Sequence, residues 1–207
     1  GRNALGANTT ASGSVAIGNR AAESITTGTG TVAVGYEAGR YITGNNNTCI
    51  GYEAYKGASG SSTGGTNTAV GFDALTANTT GGNNTALGAD TLKTNTTGSQ
   101  NVAIGLNALE TVNSDNNVAI GVDCGRLATT ATNLVYIGRS AGESTTTGGN
   151  NTGVGYYALQ ANTTGDSNTC LGYNSGTAVT TGTNNTYIGL SAGQANTESS
   201  GNTAVGY

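Results

Sequence analysis

Histidine, proline, methionine and tryptophan are all absent from the 207 residues, and only 9% of the chain is charged. Each scarcity excludes something. Without histidine the chain lacks the usual general base for acid–base chemistry. With 7 Lys and Arg against 11 Asp and Glu, the net charge is −4. That leaves no basic stripe for nucleic acid and no polybasic anchor for a membrane surface. No apolar run is long enough to insert in a bilayer as a helix, and no signal peptide is visible. Few charges and few hydrophobics would suit a disordered chain, but such chains are rich in Pro, Glu and Lys and carry no period. Here the apolar residues recur in register.

What the chain has instead is glycine, 36 of them, and a repeat. Asn84-Thr85-Ala86-Leu87-Gly88 returns as Asn101-Val102-Ala103-Ile104-Gly105, as Asn117-Val118-Ala119-Ile120-Gly121 and as Asn202-Thr203-Ala204-Val205-Gly206. The closing glycine serves as a marker at 6, 18, 35, 51, 71, 88, 105, 121, 138, 155, 172, 189 and 206. Successive markers differ by 12, 17, 16 and 20, and thereafter by 16 or 17. A fixed period of this size identifies a stacked repeat. The expected fold is all-β: a parallel β-solenoid of about twelve 17-residue rungs, forming one domain over 1–207. The long interval places an inserted loop at about 57–66, and the short one implies an abbreviated first rung. The chain opens and closes in mid-motif without polar caps, as expected of a segment of a longer fibrous chain.

Side chains alternate across a strand. One face of each rung carries Thr or Val with the aliphatic residue before the marker, and the other carries the small residue between them. The branched face is expected to fill the core, and the bare Ala/Gly face to let another backbone come close. Asn, Thr and Gly between the strands supply turns, and a second short strand is expected near Ala74-Leu75 and Ala158-Leu159. At about 4.8 Å per rung, twelve rungs would span roughly 58 Å.

Candidate chemistry is sparse. Cys49, Cys124 and Cys170 fall in small-residue columns and read as buried thiols; Cys49 and Cys170 lie too many rungs apart for a disulfide. Glu37 and Arg40, Glu53 and Lys56, Asp90 and Lys93, and Asp123 and Arg126 recur two and five residues after a marker, which reads as solvated ion pairs. No metal, cofactor or catalytic residue is expected. The Asn column, with Asn67, Asn84, Asn101, Asn117, Asn151, Asn168, Asn185 and Asn202, is expected to form an amide ladder. Asn-x-Ser/Thr sequons at Asn8, Asn46, Asn78, Asn83, Asn95, Asn150, Asn162 and Asn184 fall in expected loops and are candidate glycosylation sites. Tyr36, Tyr52, Tyr156, Tyr173 and Tyr207 share one column, a candidate surface-contact ladder.

The Asn-x-Ala-Ile/Val-Gly rung resembles the head repeats of YadA-type trimeric autotransporter adhesins, and similar Asn-Thr-Ala-Val-Gly-Tyr arrays occur in phage and viral tail-fibre-like proteins. The resemblance implies a left-handed roll and a homotrimer in which the bare Ala/Gly faces meet. The period of 17 exceeds the rungs typical of those heads. The expected function is non-enzymatic: the shaft or head of an extracellular fibre, on a cell-surface appendage or a virion. It would act by length, rigidity and repeated display. Its partners would be itself, as homotrimer or filament, and a host-surface glycan or protein. No nucleic acid and no membrane insertion are expected. Three alternatives stand beside this: a glycosylated single-chain filament; an ice-binding solenoid, from the Thr48, Thr68, Thr85, Thr152, Thr169, Thr186 and Thr203 column; and a hexapeptide-type acyltransferase, which Ile50-Gly51-Tyr52-Glu53-Ala54-Tyr55 resembles but for the missing histidine.

Overall fold

The computed structural model describes residues 1–60 and 62–207; Ser61, in the inserted loop, lies outside them. The chain is an all-β parallel solenoid with turns of about 17 residues, the separation of hydrogen-bonded partners in successive turns. Each turn contributes one three-residue strand: β1 Val15–Ile17, β2 Val32–Val34, β3 Thr48–Ile50, β4 Thr68–Val70, β5 Thr85–Leu87, β6 Val102–Ile104, β7 Val118–Ile120, β8 Val135–Ile137, β9 Thr152–Val154, β10 Thr169–Leu171, β11 Thr186–Ile188 and β12 Thr203–Val205. The chain forms two compact units, Gly1–Ala103 and Ile104–Tyr207. In the first, β1 to β5 pair in chain order, all parallel. In the second, β7 to β12 do the same. Register is position for position, so Thr68 lies beside Thr85, Ala69 beside Ala86 and Val70 beside Leu87.

The strands are short because the marker glycine ends each one. Gly71 sits at φ +140°, and a methyl on it would overlap the Gly88 carbonyl oxygen of the next turn. No L-residue fits there. The expected second strand near Ala74-Leu75 or Ala158-Leu159 is absent. Instead the chain zigzags through two left-handed residues, Asp73 (φ 51°) and Leu75 (φ 56°) in one turn, Tyr157 (φ 59°) and Leu159 (φ 53°) in another. Each such residue costs roughly 1 kcal/mol or more. The backbone recovers it by bonding both ways: the Asp73 N–H donates to the Tyr52 carbonyl at 3.0 Å, and the Leu75 N–H to the Thr91 carbonyl at 2.9 Å.

That zigzag corrects the first marker. Gly1, not Gly6, carries the contact, since a methyl on Gly1 would meet the Gly18 carbonyl; Asn3 and Leu5 follow it in the left-handed region. The first interval therefore runs from Gly1 to Gly18 and matches the others, and there is no abbreviated rung.

The expected core is inside out. The small middle residue of each strand points inward: Ala33, Ala69, Ala86, Ala119 and Cys170 are fully buried. The branched residues on either side face outward; Ile17 is 59% exposed and Leu171 48%. The interior is narrow, and the opposite wall fills it. Leu75, Leu92, Leu109 and Leu159, at the second left-handed position, are fully buried, as are Ile25, Ile42, Val112 and Val179. A branched strand residue has no room opposite a buried leucine, so it goes outside.

Two polar ladders tie successive turns. The Asn84 Oδ1 accepts the Asn101 backbone N–H at 3.0 Å, and its Nδ2 donates to the Gly98 carbonyl at 2.9 Å. In the second unit Asn168 does the same toward Asn185 and Gly182. The Thr79 hydroxyl donates to the Thr96 carbonyl; those of Thr146 and Thr163 donate likewise to the carbonyls of Thr163 and Thr180. Most buried amides and hydroxyls are thereby satisfied, as an interior this polar requires; the Thr31 hydroxyl and the Asn95 and Asn174 Oδ1 atoms are buried without a partner among the described residues.

Candidate interaction face

The outward residues of the strands define the surface that departs furthest from an ordinary monomer. Among the described residues, every exposed large hydrophobic one except Leu127 lies in one of three columns: first in the strand, last in the strand, or just past the marker glycine. In the first unit these include Val15, Ile17, Ile50 and Leu87; in the second, Ile120, Val135, Ile137, Leu171 and Ile188. Thr and Val alternate irregularly at the first strand position, so each turn shows one methyl-bearing residue beside one larger aliphatic. Monomeric proteins rarely leave such stripes uncovered.

Past the marker, Tyr36, Tyr52 and Phe72 stack at 5.1 and 5.3 Å with interplanar angles of 14° and 12°. Tyr156 and Tyr173 stack at 5.3 Å and 4°. Rings in a ladder of this kind spend their faces on one another and show edges to solvent. Tyr207 is exposed and Tyr156 half-buried.

The charged residues form a second column system, and it is less solvated than its repeat offset suggests. Glu37 is 3% exposed and meets three bases: Arg40 at 2.9 Å, Lys56 at 3.2 Å and Arg20 at 3.3 Å. Burial pushes its pKa up, but the hydrogen bonds from Lys56 and Arg40 outweigh this and hold it below the usual carboxylate range. Glu23 is likewise held low, chiefly by the Arg40 hydrogen bond. Asp73 goes the other way, raised first by burial, with one buried oxygen lacking a hydrogen-bond partner. Arg126 serves Glu110, Asp123 and Glu143 at 3.9, 3.8 and 3.4 Å. The pairs therefore run between turns as well as within them, a feature the offset alone did not reveal.

The thiols are where the small columns put them. Cys49, Cys124 and Cys170 are free and buried, and desolvation drives Cys49 far up and Cys124 and Cys170 up to about 12. They are inert as nucleophiles at neutral pH.

The sequons divide. Asn8, Asn46, Asn83, Asn150 and Asn184 are exposed. Asn78, Asn95 and Asn162 are fully buried, each donating its amide to the carbonyl of the glycine three residues on, Gly81, Gly98 and Gly165. The accessibility expected of these three does not hold, because their amides close the turn from inside. No sequence cue short of the buried-column spacing separates the two groups.

Among the described residues there is no concave pocket, and no group of three His, Cys, Asp or Glu side chains is placed to hold a metal. No helix is long and apolar enough to cross a membrane. No protein-family model, curated protein or solved structure matches the chain.

Proposed function

We propose that the chain is a non-catalytic structural segment of an extracellular fibre, a shaft or head of an adhesin or tail fibre, whose copies associate through the outward strand face. The observation that carries this reading is the uncovered aliphatic column, with the Thr/Val column beside it. Each turn offers on the order of 100 Å² there, so about eight turns reach the ~800 Å² per partner of a stable interface. The Ala side of the strand is closed within the chain's own interior, so it is the branched side that meets neighbouring copies. A homotrimer is the assembly favoured, since three such faces close around one axis and cover all of them. Repeated turns then add weak external contacts through effective concentration.

Light scattering coupled to size exclusion, with electron microscopy for mass per unit length, tests it. Three chains per particle are expected for the native chain. Ile120→Lys with Ile137→Lys, both exposed, should give folded monomers. A native chain that is monomeric at tens of micromolar would sink the proposal.

One observation favours a second reading. Thr152, Thr169, Thr186 and Thr203 lie side by side in register, as do Thr48, Thr68 and Thr85. Such an outward array is the arrangement an ice-binding face needs, and thermal hysteresis of the monomeric double-lysine variant beside the native chain would reveal it.

A further inference from the structure

One place on the outer surface of the second unit gathers a cation and aromatics. From Asn19 to Tyr207 the column after the marker is uncharged except at Arg139. One turn on, Tyr157 occupies the position two past the marker, which is acidic at Glu37, Glu53, Asp73, Asp90 and Asp123 and polar at Asn107, Ser140, Asn174 and Ser191, but aromatic in no other turn. The two departures are neighbours. Arg139 lies 6.0 Å from the Tyr156 ring centre, Tyr157 meets Tyr156 at 4.0 Å and 52°, and Tyr173 stacks on Tyr156 from the far side.

The charge of this cluster is unspent, as is that of Arg2 at the first turn. Arg20, Arg40, Lys56, Lys93 and Arg126 each have a carboxylate within 4.0 Å. Among the described residues Arg139 has none. The nearest acid in its own turn, Glu143, is engaged by Arg126 and Gln160. At 6.0 Å the ring contact sits at the outer limit of cation–π attraction, so the guanidinium keeps its donors for something else. Tyr157 adds a phenol beside that of Tyr156. A cation without a carboxylate partner, set against three neighbouring phenols, is what an anion- and hydroxyl-binding site needs.

We propose that Arg139, Tyr156, Tyr157 and Tyr173 form a binding site for an acidic saccharide. The guanidinium takes the anionic group in a two-pronged hydrogen bond, the phenols bond ring hydroxyls, and the Tyr157 ring, tilted out of the ladder, offers its face to the sugar. Arg and Tyr are the residue types that dominate binding energy at recognition surfaces. The site lies wholly in the second unit and does not depend on the copies associating.

Saturation-transfer NMR on the full chain tests it with three probes: a sialic-acid-terminated trisaccharide, a sulfated heparin-type tetrasaccharide and neutral lactose. Transfer to either acidic probe but not to lactose is expected, and which one responds identifies carboxylate or sulfate as the anion. Arg139→Gln should weaken binding about tenfold or more. Tyr157→Asp should do the same, because it removes a phenol and brings in a competing carboxylate at a left-handed position that Asp73, Asp90 and Asp123 occupy in other turns. Arg126→Gln should leave binding unchanged. No transfer from either acidic probe would overturn the site, as would equal loss in Arg126→Gln and Arg139→Gln, which would mean bulk charge alone.

Discussion

The two units are built on one turn but filled and charged differently. In Gly1–Ala103 the bases Arg2, Arg20, Arg40, Lys56 and Lys93 balance the acids Glu23, Glu37, Glu53, Asp73 and Asp90. In Ile104–Tyr207 only Arg126 and Arg139 face Glu110, Asp115, Asp123, Glu143, Asp166 and Glu198. The whole net charge of −4 thus sits in the second unit. The interiors differ in parallel. The first unit pairs Ala69 and Ala86 in the strands with Leu75 and Leu92 opposite. The second keeps buried leucine at Leu109 and Leu159 but elsewhere puts Tyr136 and Tyr187 in the strands and Gly142 and Gly193 opposite; a methyl on either glycine would fall on the facing tyrosine ring. Large and small have changed walls while the cross-section stayed the same. The turn specifies a volume, not a residue at each place.

Exchanging the two fillings should have the largest effect. Tyr136→Ala is expected to cost about 3–5 kcal/mol, since it empties a fully buried ring and leaves the Thr145 hydroxyl without its 2.9 Å partner. Gly142→Leu alone should also destabilise, by roughly 1–3 kcal/mol or more, through overpacking. Together they recreate the Ala/Leu turn and should cost less than either one alone. The mirror experiment in the first unit, Ala86→Tyr with Leu92→Gly, should show the same rescue. Denaturant unfolding measures both cycles, and strict additivity would refute the volume account.

A smaller difference should separate the charge systems. Glu37→Gln withdraws a nearly buried carboxylate from three bases and should lose about 1–3 kcal/mol. Glu143→Gln, with a side chain 22% exposed, should lose under about 1 kcal/mol. Equal losses would mean that burial of Glu37 is energetically idle.

The gentlest probe is acid. Glu23 and Glu37 have folded-state pKa values below the ordinary carboxylate value. Their contribution is complete above that value and disappears as pH falls through the lowered ones. Asp73, raised by burial, works in the opposite sense and offsets part of the loss. Amide exchange between pH 5 and 3 should show turns 20–56 losing protection, and Glu37→Gln should flatten that dependence. A profile unchanged by the substitution would assign the acid sensitivity elsewhere.

Much of the architecture was legible because a marker glycine recurs once per turn and Asn stands four places before it. The parallel stack, the in-register strands, the amide ladder and the buried thiols all follow from that. The direction of the strand faces did not. Alternation divides Thr85 and Leu87 from Ala86 but does not say which set is inside, and the usual preference for branched cores points the wrong way. The missing information lay in the other wall: Leu92, four places past its marker, already occupies the interior. The inward column betrays itself where Tyr136 and Tyr187 enter it, because Gly142 and Gly153 shrink around one ring and Gly193 and Gly176 around the other. The first marker misleads for a similar reason. Ala4-Leu5-Gly6 imitates the strand motif, yet Leu5 at φ 50° is the left-handed turn position. The Arg139 cluster is hidden in the bare sequence because it shows only as a departure from columns that must first be aligned correctly.

The marker glycines carry one further consequence, for heredity. At Gly18, Gly35, Gly51, Gly71, Gly121, Gly138, Gly155 and Gly172 an added methyl would strike the carbonyl of the next turn. A gene for this protein therefore presents many equivalent targets at which a single base change replaces hydrogen with carbon and splits the stack. Lengthening the chain by whole turns enlarges that target in proportion. The number of turns a lineage can keep is then bounded by how faithfully it copies its glycine codons, as well as by how far the protein must reach.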